Sequence, residues 1–173
     1  TKGKDQRFIL DLNHGLYNYE GKTLWATLRV ENDTLLTGYR ITNGWARTNF
    51  TYFAIALSKP LKNYGYQDFQ KQNYNGFWRK FPVNRNFPEM AGRKVVSYFE
   101  FDHSDPELVI KVALSATSTE GAVKNLQAEA CGKSFDEIRT LAEASWQKQL
   151  GSIQVQGTED QKTMFYTSYY HTL

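Results

Sequence analysis

Side chains able to hold or act on a ligand lie in a few short stretches of this chain. Asn43-Gly44-Trp45-Ala46-Arg47 sets an indole beside a guanidinium, directly after a dipeptide that favours a tight turn. An aromatic face with a cation next to it makes a platform for a sugar ring, with Trp45 and Arg47 as the contacts. The same residues also fit a hairpin whose tryptophan packs on a sheet while the arginine stem covers apolar surface and its head stays in water, which is the commoner arrangement. Lys62 to Lys94 carries Tyr64, Tyr66, Phe69, Tyr74, Phe77, Trp78, Phe81 and Phe87, interleaved with seven Lys or Arg against only Asp68 and Glu89. Rings among bases can stack on sugar faces or on nucleobases, with Trp78 the residue to test, or they can cover a domain interface and fill a satellite core.

The remaining candidates offer less. Asp11-Leu12-Asn13-His14-Gly15 begins like a calcium loop but lacks the later acidic positions and the distal Glu such a loop requires, so a strand end turning at glycine is expected. His103, before Ser104-Asp105-Pro106, reads as a solvated loop histidine, and His171 as a packed residue of an aromatic helix that could also reach an active site. No nucleophile with its base, no phosphate-cradling glycine loop and no metal cluster can be picked out. Asp and Glu are plentiful, but nothing in their spacing sets two of them roughly 5 to 9.5 Å apart across a cleft, as glycoside hydrolysis needs. No residue is therefore assigned as catalytic or as a metal ligand.

The elements that must position these residues change character along the chain. From Arg7 to Ala116 the apolar pattern has period two: Phe8, Leu10 and Leu12; Leu24, Ala26, Leu28 and Val30; Leu35, Thr37, Tyr39 and Ile41; Phe53, Ile55 and Leu57; then Val95 to Asp102 and Leu108 to Ala116. Six or so strands with no helix between them predict an antiparallel β-sandwich. After Ala116, Ala122, Val123, Leu126 and Ala130 recur at helical spacing, and Gly132 stands where a left-handed cap is needed. Ser134 with Glu137 forms a capping box for a helix carrying Ile138, Leu141, Ala142, Trp146 and Leu150 to Gly151. A strand-like Ser152 to Gln156 leads to a second capping box, Thr158 with Gln161, and a last helix striped by Met164, Phe165, Tyr169 and Thr172. That helix is too short to hold without partners, so it is expected to open a further helical domain. The expected division is 1–116 sandwich, 117–151 helical linker, and 152–173 the start of the next domain.

Length and composition narrow the classes. A chain of 173 residues buries roughly 70% of its unfolded surface, enough for one core and a small appendage. The formal charge of +3 is spread along the sequence, against a nucleic-acid partner, and no apolar run reaches the length of a membrane span. The first residues, TKGKDQR, lack both an initiator Met and the apolar core of a signal peptide, so a segment of a longer protein is expected. Cys131 is the single cysteine, which excludes an intrachain disulfide. The sequons at Asn32 and Asn49 fall in strand-like segments and carry no weight.

Three stretches together carry a family resemblance: GYRITNGWARTNFTYFAIALSKP, VALSATSTEGAVKNLQAEACGKSFDEIRTLAEASWQKQLGSIQVQG and GTEDQKTMFYTSYYHTL. In collinear order over nearly the whole chain, and least between Lys62 and Gly92, the sequence resembles the alpha-mannosidases of glycoside hydrolase family 92. The resemblance implies a galactose-mutarotase-like sandwich, of which residues 1–116 are a part incomplete at its start, bridging helices and the first helix of an (α/α)6 barrel. It also implies removal of alpha-linked mannose from N-glycans or mannan, with inversion and a bound calcium ion, by a secreted or periplasmic bacterial enzyme. The family's acid, base and calcium ligands belong to the barrel beyond the last helix, so the resemblance implies that this part is non-catalytic and binds no calcium, scaffolding the barrel and walling its sugar cleft. The other readings are a carbohydrate-binding module without catalysis, and the sandwich of another (α/α)6 glycosidase or phosphorylase.

Overall fold

The period-two stretches become strands, part of a set of eight among the described residues. The computed structural model describes residues 6–15, 19–68, 88–102 and 107–173. In chain order the strands are β1 (Gln6–Asp11), β2 (Thr23–Asn32), β3 (Leu35–Thr42), β4 (Asn49–Leu57), β5 (Asn63–Asp68), β6 (Glu89–Gly92), β7 (Val95–Phe101) and β8 (Ile110–Ser115). Among the described residues all pairings are antiparallel, in a three-stranded sheet ordered β1-β7-β5 and a five-stranded sheet ordered β6-β2-β3-β4-β8. The antiparallel β architecture expected from the alternation is thus present. Two strands more than the pattern suggested come from the two ends of Lys62–Lys94, which read as one long connection because Gly65 and Gly92 blur the alternation there.

The core between the sheets holds Leu28, Leu36, Phe53, Ile55 and Leu57 from the larger sheet, and Val95, Phe99 and Phe101 from the smaller. Phe8 stacks on Phe99 at 4.7 Å between ring centroids. On β3 the interior face is Leu36 and Gly38, while Leu35 turns outward to the helices that follow β8. Periodicity gives two faces and does not say which is inside. Gly38 is required by close approach: a Cβ there would meet the Thr27 carbonyl oxygen at 2.1 Å and Phe53 Cζ at 2.5 Å.

Helix α1 (Thr119–Asn125) is capped by the Ser118 hydroxyl, which accepts from Gly121 N–H, and continues as a wider π turn over Leu126–Ala130. Its Ala122 and Leu126 pack on Ala54 and Ala113 of β4 and β8. The predicted helical face is present, and Gly132 ends it in the left-handed region at φ 73°.

Residues 1–131 and 132–173 form two units. The second holds α2 (Phe135–Leu150) and α3 (Glu159–Tyr170), each started by the capping box read from the sequence. Trp146 meets Tyr170 at 4.8 Å, Tyr166 Oη donates to the Ile153 carbonyl, and the hydroxyls of Ser152 and Tyr169 share a bond. Two expectations are corrected. Ser152–Gln156 is irregular instead of a strand, because its groups bond to the turns of the flanking helices and not to a ladder. In α3 the half-buried aromatics are Phe165, Tyr166 and Tyr169, whereas Met164 and Thr172 face solvent. No residue of α2 or α3 is fully buried.

Candidate functional site

At one end of the sandwich the connection into β2, the β3–β4 hairpin and the β6–β7 turn are tied together. Tyr19-Glu20-Gly21-Lys22 forms a turn closed by Lys22 N–H donating to the Tyr19 carbonyl, with Gly21 at φ 83° supplying the positive angle that this turn needs at its third position. The turn is clamped to the hairpin at Asn43. Asn43 N–H donates to the Lys22 carbonyl at 2.7 Å, and Tyr19 Oη donates to the Asn43 carbonyl at 2.9 Å. Behind it, the Asp11 carboxylate accepts from the N–H groups of Asn13 and His14, so the turn out of β1 is held by this side chain.

These pieces enclose a cleft of about 590 Å³ lined by Asn13, Tyr19, Glu20, Lys22, Thr23, Arg93 and Lys94. Among the described residues its lining includes three cations, Lys22, Arg93 and Lys94, and one carboxylate, Glu20, and the Lys22 ammonium lies 5.9 Å from the Tyr19 ring centroid. Arg40 braces the back, donating from Nη1 to the His14 carbonyl at 2.6 Å and from Nη2 to Thr23 Oγ1 at 3.1 Å. Its Nε is buried without a partner among the described residues. Burial lowers the pKa of this guanidinium and the charge of Asp11 raises it, and the group stays charged because arginine starts so far above neutrality. Chemically the cleft can hold a hydroxyl-rich or anionic ligand against a tyrosine edge. Among the described residues it is lined by one carboxylate, that of Glu20, where glycoside hydrolysis needs an acid and base pair.

Of the residues predicted from sequence, Trp45 stands fully in solvent at 109% relative exposure, with Arg47 exposed beside it on the hairpin. The packed-tryptophan arrangement is therefore corrected: the ring has no sheet surface under it. Nor does Gly44 adopt a positive φ, since the six residues between β3 and β4 leave room for ordinary angles. Trp45 does sit two residues beyond Asn43, which is bonded to two cleft residues, so the predicted platform adjoins the cleft. Trp78 and His103 lie outside the described residues. His171 is exposed at the end of α3, its ring edge-on to Tyr170, and is not a packed core residue. Sequence reasoning missed Tyr19, Lys22, Arg40, Arg93 and Lys94. The turn-forming Glu20-Gly21 was legible, but its meeting with Arg93 and Lys94 depends on strand order.

Calcium takes six to eight oxygen ligands. Among the described residues no three His, Cys, Asp or Glu side chains gather where they could hold a metal ion, so these residues do not fit a calcium site. No helix among them is long and apolar enough to cross a membrane.

Comparison with known proteins places this geometry in context. Residues 1–115 match the model of the glycosyl hydrolase family 92 N-terminal domain, and residues 121–173 that of the family 92 catalytic domain. A family 92 alpha-mannosidase from Bacteroides thetaiotaomicron superposes with a TM-score of 0.79 at 33% identity, over 97% of this chain and 22% of that one. The same protein has been solved in complex with mannoimidazole, at a TM-score of 0.78 and 33% identity over 97% of this chain and 21% of that one. An inverting family 92 mannosidase from Bacteroides thetaiotaomicron VPI-5482 is similar at 25% identity and a TM-score of 0.77, over 100% of this chain and 21% of that one. The chain thus spans about a fifth of the length of these relatives. No curated protein sequence matches it.

Proposed function

This chain belongs to glycosyl hydrolase family 92, and from that membership we propose that the protein it is part of is an inverting, calcium-dependent exo-alpha-mannosidase. Its substrates would be alpha-linked mannose termini of N-glycans or mannan, and the protein would be secreted or periplasmic. The observation that carries the reading is the collinear match of both family 92 domain models, over 1–115 and 121–173, to a chain whose fold aligns with an alpha-mannosidase over 97% of its length.

Within that protein, residues 1–116 are the sandwich, 117–151 the linker and 152–173 the opening of the (α/α)6 barrel. The segment acts as scaffold and as one wall of the sugar cleft. Inversion needs an acid to protonate the leaving oxygen and a base, on the opposite side of the ring, to activate water. Among the described residues the cleft has a single carboxylate and no cluster able to hold a metal ion, which supports assigning both roles, and the calcium ligands, to other parts of the parent protein. Tyr19, Lys22, Arg93 and Lys94, with Trp45 and Arg47 beside them, are the residues this segment would offer to a sugar.

The experiment is an assay of the parent protein and of this chain with an aryl alpha-mannoside, with calcium and after its chelation. The parent should turn over with inversion and lose activity on chelation, while this chain alone should be inactive. Turnover by this chain, or none by the calcium-loaded parent, would overturn the reading. Full exposure of Trp45 favours a second reading, a binding module without catalysis. Mannobiose binding by this chain, lost in Trp45→Ala, together with an inactive parent, would select it.

A further inference from the structure

The outward face of the five-stranded sheet is divided in two. Leu36 of β3 and Phe53 of β4 face the core, so by alternation Tyr39, Ile41, Phe50 and Tyr52 face outward. Trp25 of β2 joins them, because it stands opposite Ile41 and cross-strand partners share a face. One half of this face is covered: Ala122 and Leu126 lie on Ala54 and Ala113, with Leu35 and Ala56 at the margin. The other half is a row of rings. Trp25, Ile41 and Phe50 lie directly opposite one another on three neighbouring strands, and Trp25 and Phe50 are each 41% exposed. Phe50 stacks on Tyr52 at 6.0 Å with 13° between the ring planes, and Tyr52 meets Tyr39 at 5.7 Å. Along β2 the face then turns charged, at the ion pair of Arg29 with Glu31.

Its size and chemistry select an occupant. Three strands span about 10 Å between the outer two, and two residues along a strand about 7 Å, so the rings cover on the order of 200 Å². A stable protein interface takes about 800 Å² from each partner, which makes this patch too small a seat for a second copy of the chain or another protein. A sugar ring fits it. Its carbon-bound hydrogens lie flat on the electron-rich face of an aromatic ring, while its hydroxyls meet polar groups at the ring edges, here the hydroxyls of Tyr39 and Tyr52. The span from Trp25 to Phe50 matches two linked hexoses.

We infer that the row of Trp25, Ile41 and Phe50 is a binding surface for a glycan chain, with a pair of linked hexose rings seated across β2, β3 and β4. That the hexoses are alpha-linked mannose rests on the mannosidase reading, whereas the seating of a hexose pair rests on the row itself. None of the three side chains is an acid or a base, so the row holds the chain and takes no part in bond cleavage.

The test is affinity electrophoresis of the full-length parent protein in native gels containing alpha-mannan, run with a calcium chelator so that the polymer is not consumed. Mannan should retard the parent, and Trp25→Ala and Phe50→Ala should each weaken the apparent affinity about fivefold. Turnover of an aryl alpha-mannoside by both variants, with calcium restored, should stay within about twofold of the parent's. An unretarded parent overturns the inference. So do variants held as strongly as the parent, the result expected were the rest of the protein or a second copy to cover this face, and so does loss of aryl mannoside turnover in step with retention. If the alanine variants fail to fold, Phe50→Leu decides, since it keeps an apolar side chain in the row and removes only the ring face. Turnover without retention would sink this inference alone; retention through Trp25 and Phe50 without turnover would sink the mannosidase reading alone.

Discussion

Replacing Gly38 by alanine should loosen the part of the sheet that carries the candidate site. Gly38 lies on β3 opposite Leu28 of β2 and Phe53 of β4, and its φ is outside the left-handed region, so alanine is conformationally allowed and the effect is purely steric. The new Cβ would stand 2.1 Å from the Thr27 carbonyl oxygen and 2.5 Å from Phe53 Cζ. The ring can tilt. The carbonyl belongs to the β2 backbone and cannot move without lengthening the β2–β3 ladder. Overpacking of this kind costs about 1–3 kcal/mol, and two contacts this short put Gly38→Ala at the upper end. Restricting the unfolded chain returns about 0.4–1 kcal/mol, leaving a net loss of about 2 kcal/mol. At about 4 °C per kcal/mol for a domain of this size, the thermal midpoint should fall by about 8 °C. Circular dichroism melts of this chain measure it. Gly44→Ala is the control, since nothing lies within 4 Å of its Cβ and its φ is ordinary. If Gly38→Ala melts within about 2 °C of that control, the close-approach argument is wrong.

Three further outcomes follow from the geometry. Trp45→Ala should leave the melting temperature within about 2 °C, because a fully exposed ring carries no packing, while raising KM of the parent for an aryl alpha-mannoside several-fold; a large loss of stability, or unchanged KM, would contradict its placement as a sugar contact. Gly132→Ala forces a Cβ into the left-handed region after the π turn and should cost about 1 kcal/mol, read as a lowered midpoint in urea unfolding; no change would mean that the backbone relaxes freely there. Glu120, exposed in the first turn of α1, is held below the ordinary carboxylate range, first by its own backbone N–H and then by the Ser118 hydroxyl. Its folded value being the lower one, its stabilisation is complete above the ordinary carboxylate pKa and disappears as the pH falls through the depressed value. Glu120→Gln should therefore melt lower than the unaltered chain at neutral pH, and the two should converge in acid; a gap independent of pH would exclude this linkage.

How much of the molecule was legible in advance varies with the range of the interactions. Helix starts were the most legible, because Ser134 with Glu137 and Thr158 with Gln161 satisfy backbone donors within one turn, and both boxes form. Gly132 is similar: its left-handed φ answers to the helix end directly before it. The alternation from Arg7 to Ala116 foretold antiparallel strands, since side chains on a strand must alternate wherever one face is buried. It did not reveal β5 and β6, where glycines interrupt the pattern, nor that Leu36 and Gly38, and not Leu35, face the interior of β3.

The sequence by itself determined what depends on neighbours within a few residues: caps, turns such as Tyr19–Lys22, the change from period two to helical period, and a family likeness that the comparisons then bore out. Tertiary structure alone decided that the Tyr19–Lys22 turn meets Arg93 and Lys94, that Arg40 reaches back to His14 and Thr23, and that Trp45 is held clear of the sheet it was expected to cover. Those facts follow from strand order and from the unequal width of the two sheets. Both are set by which long-range pairings bury the most apolar surface, and no local pattern encodes that sum.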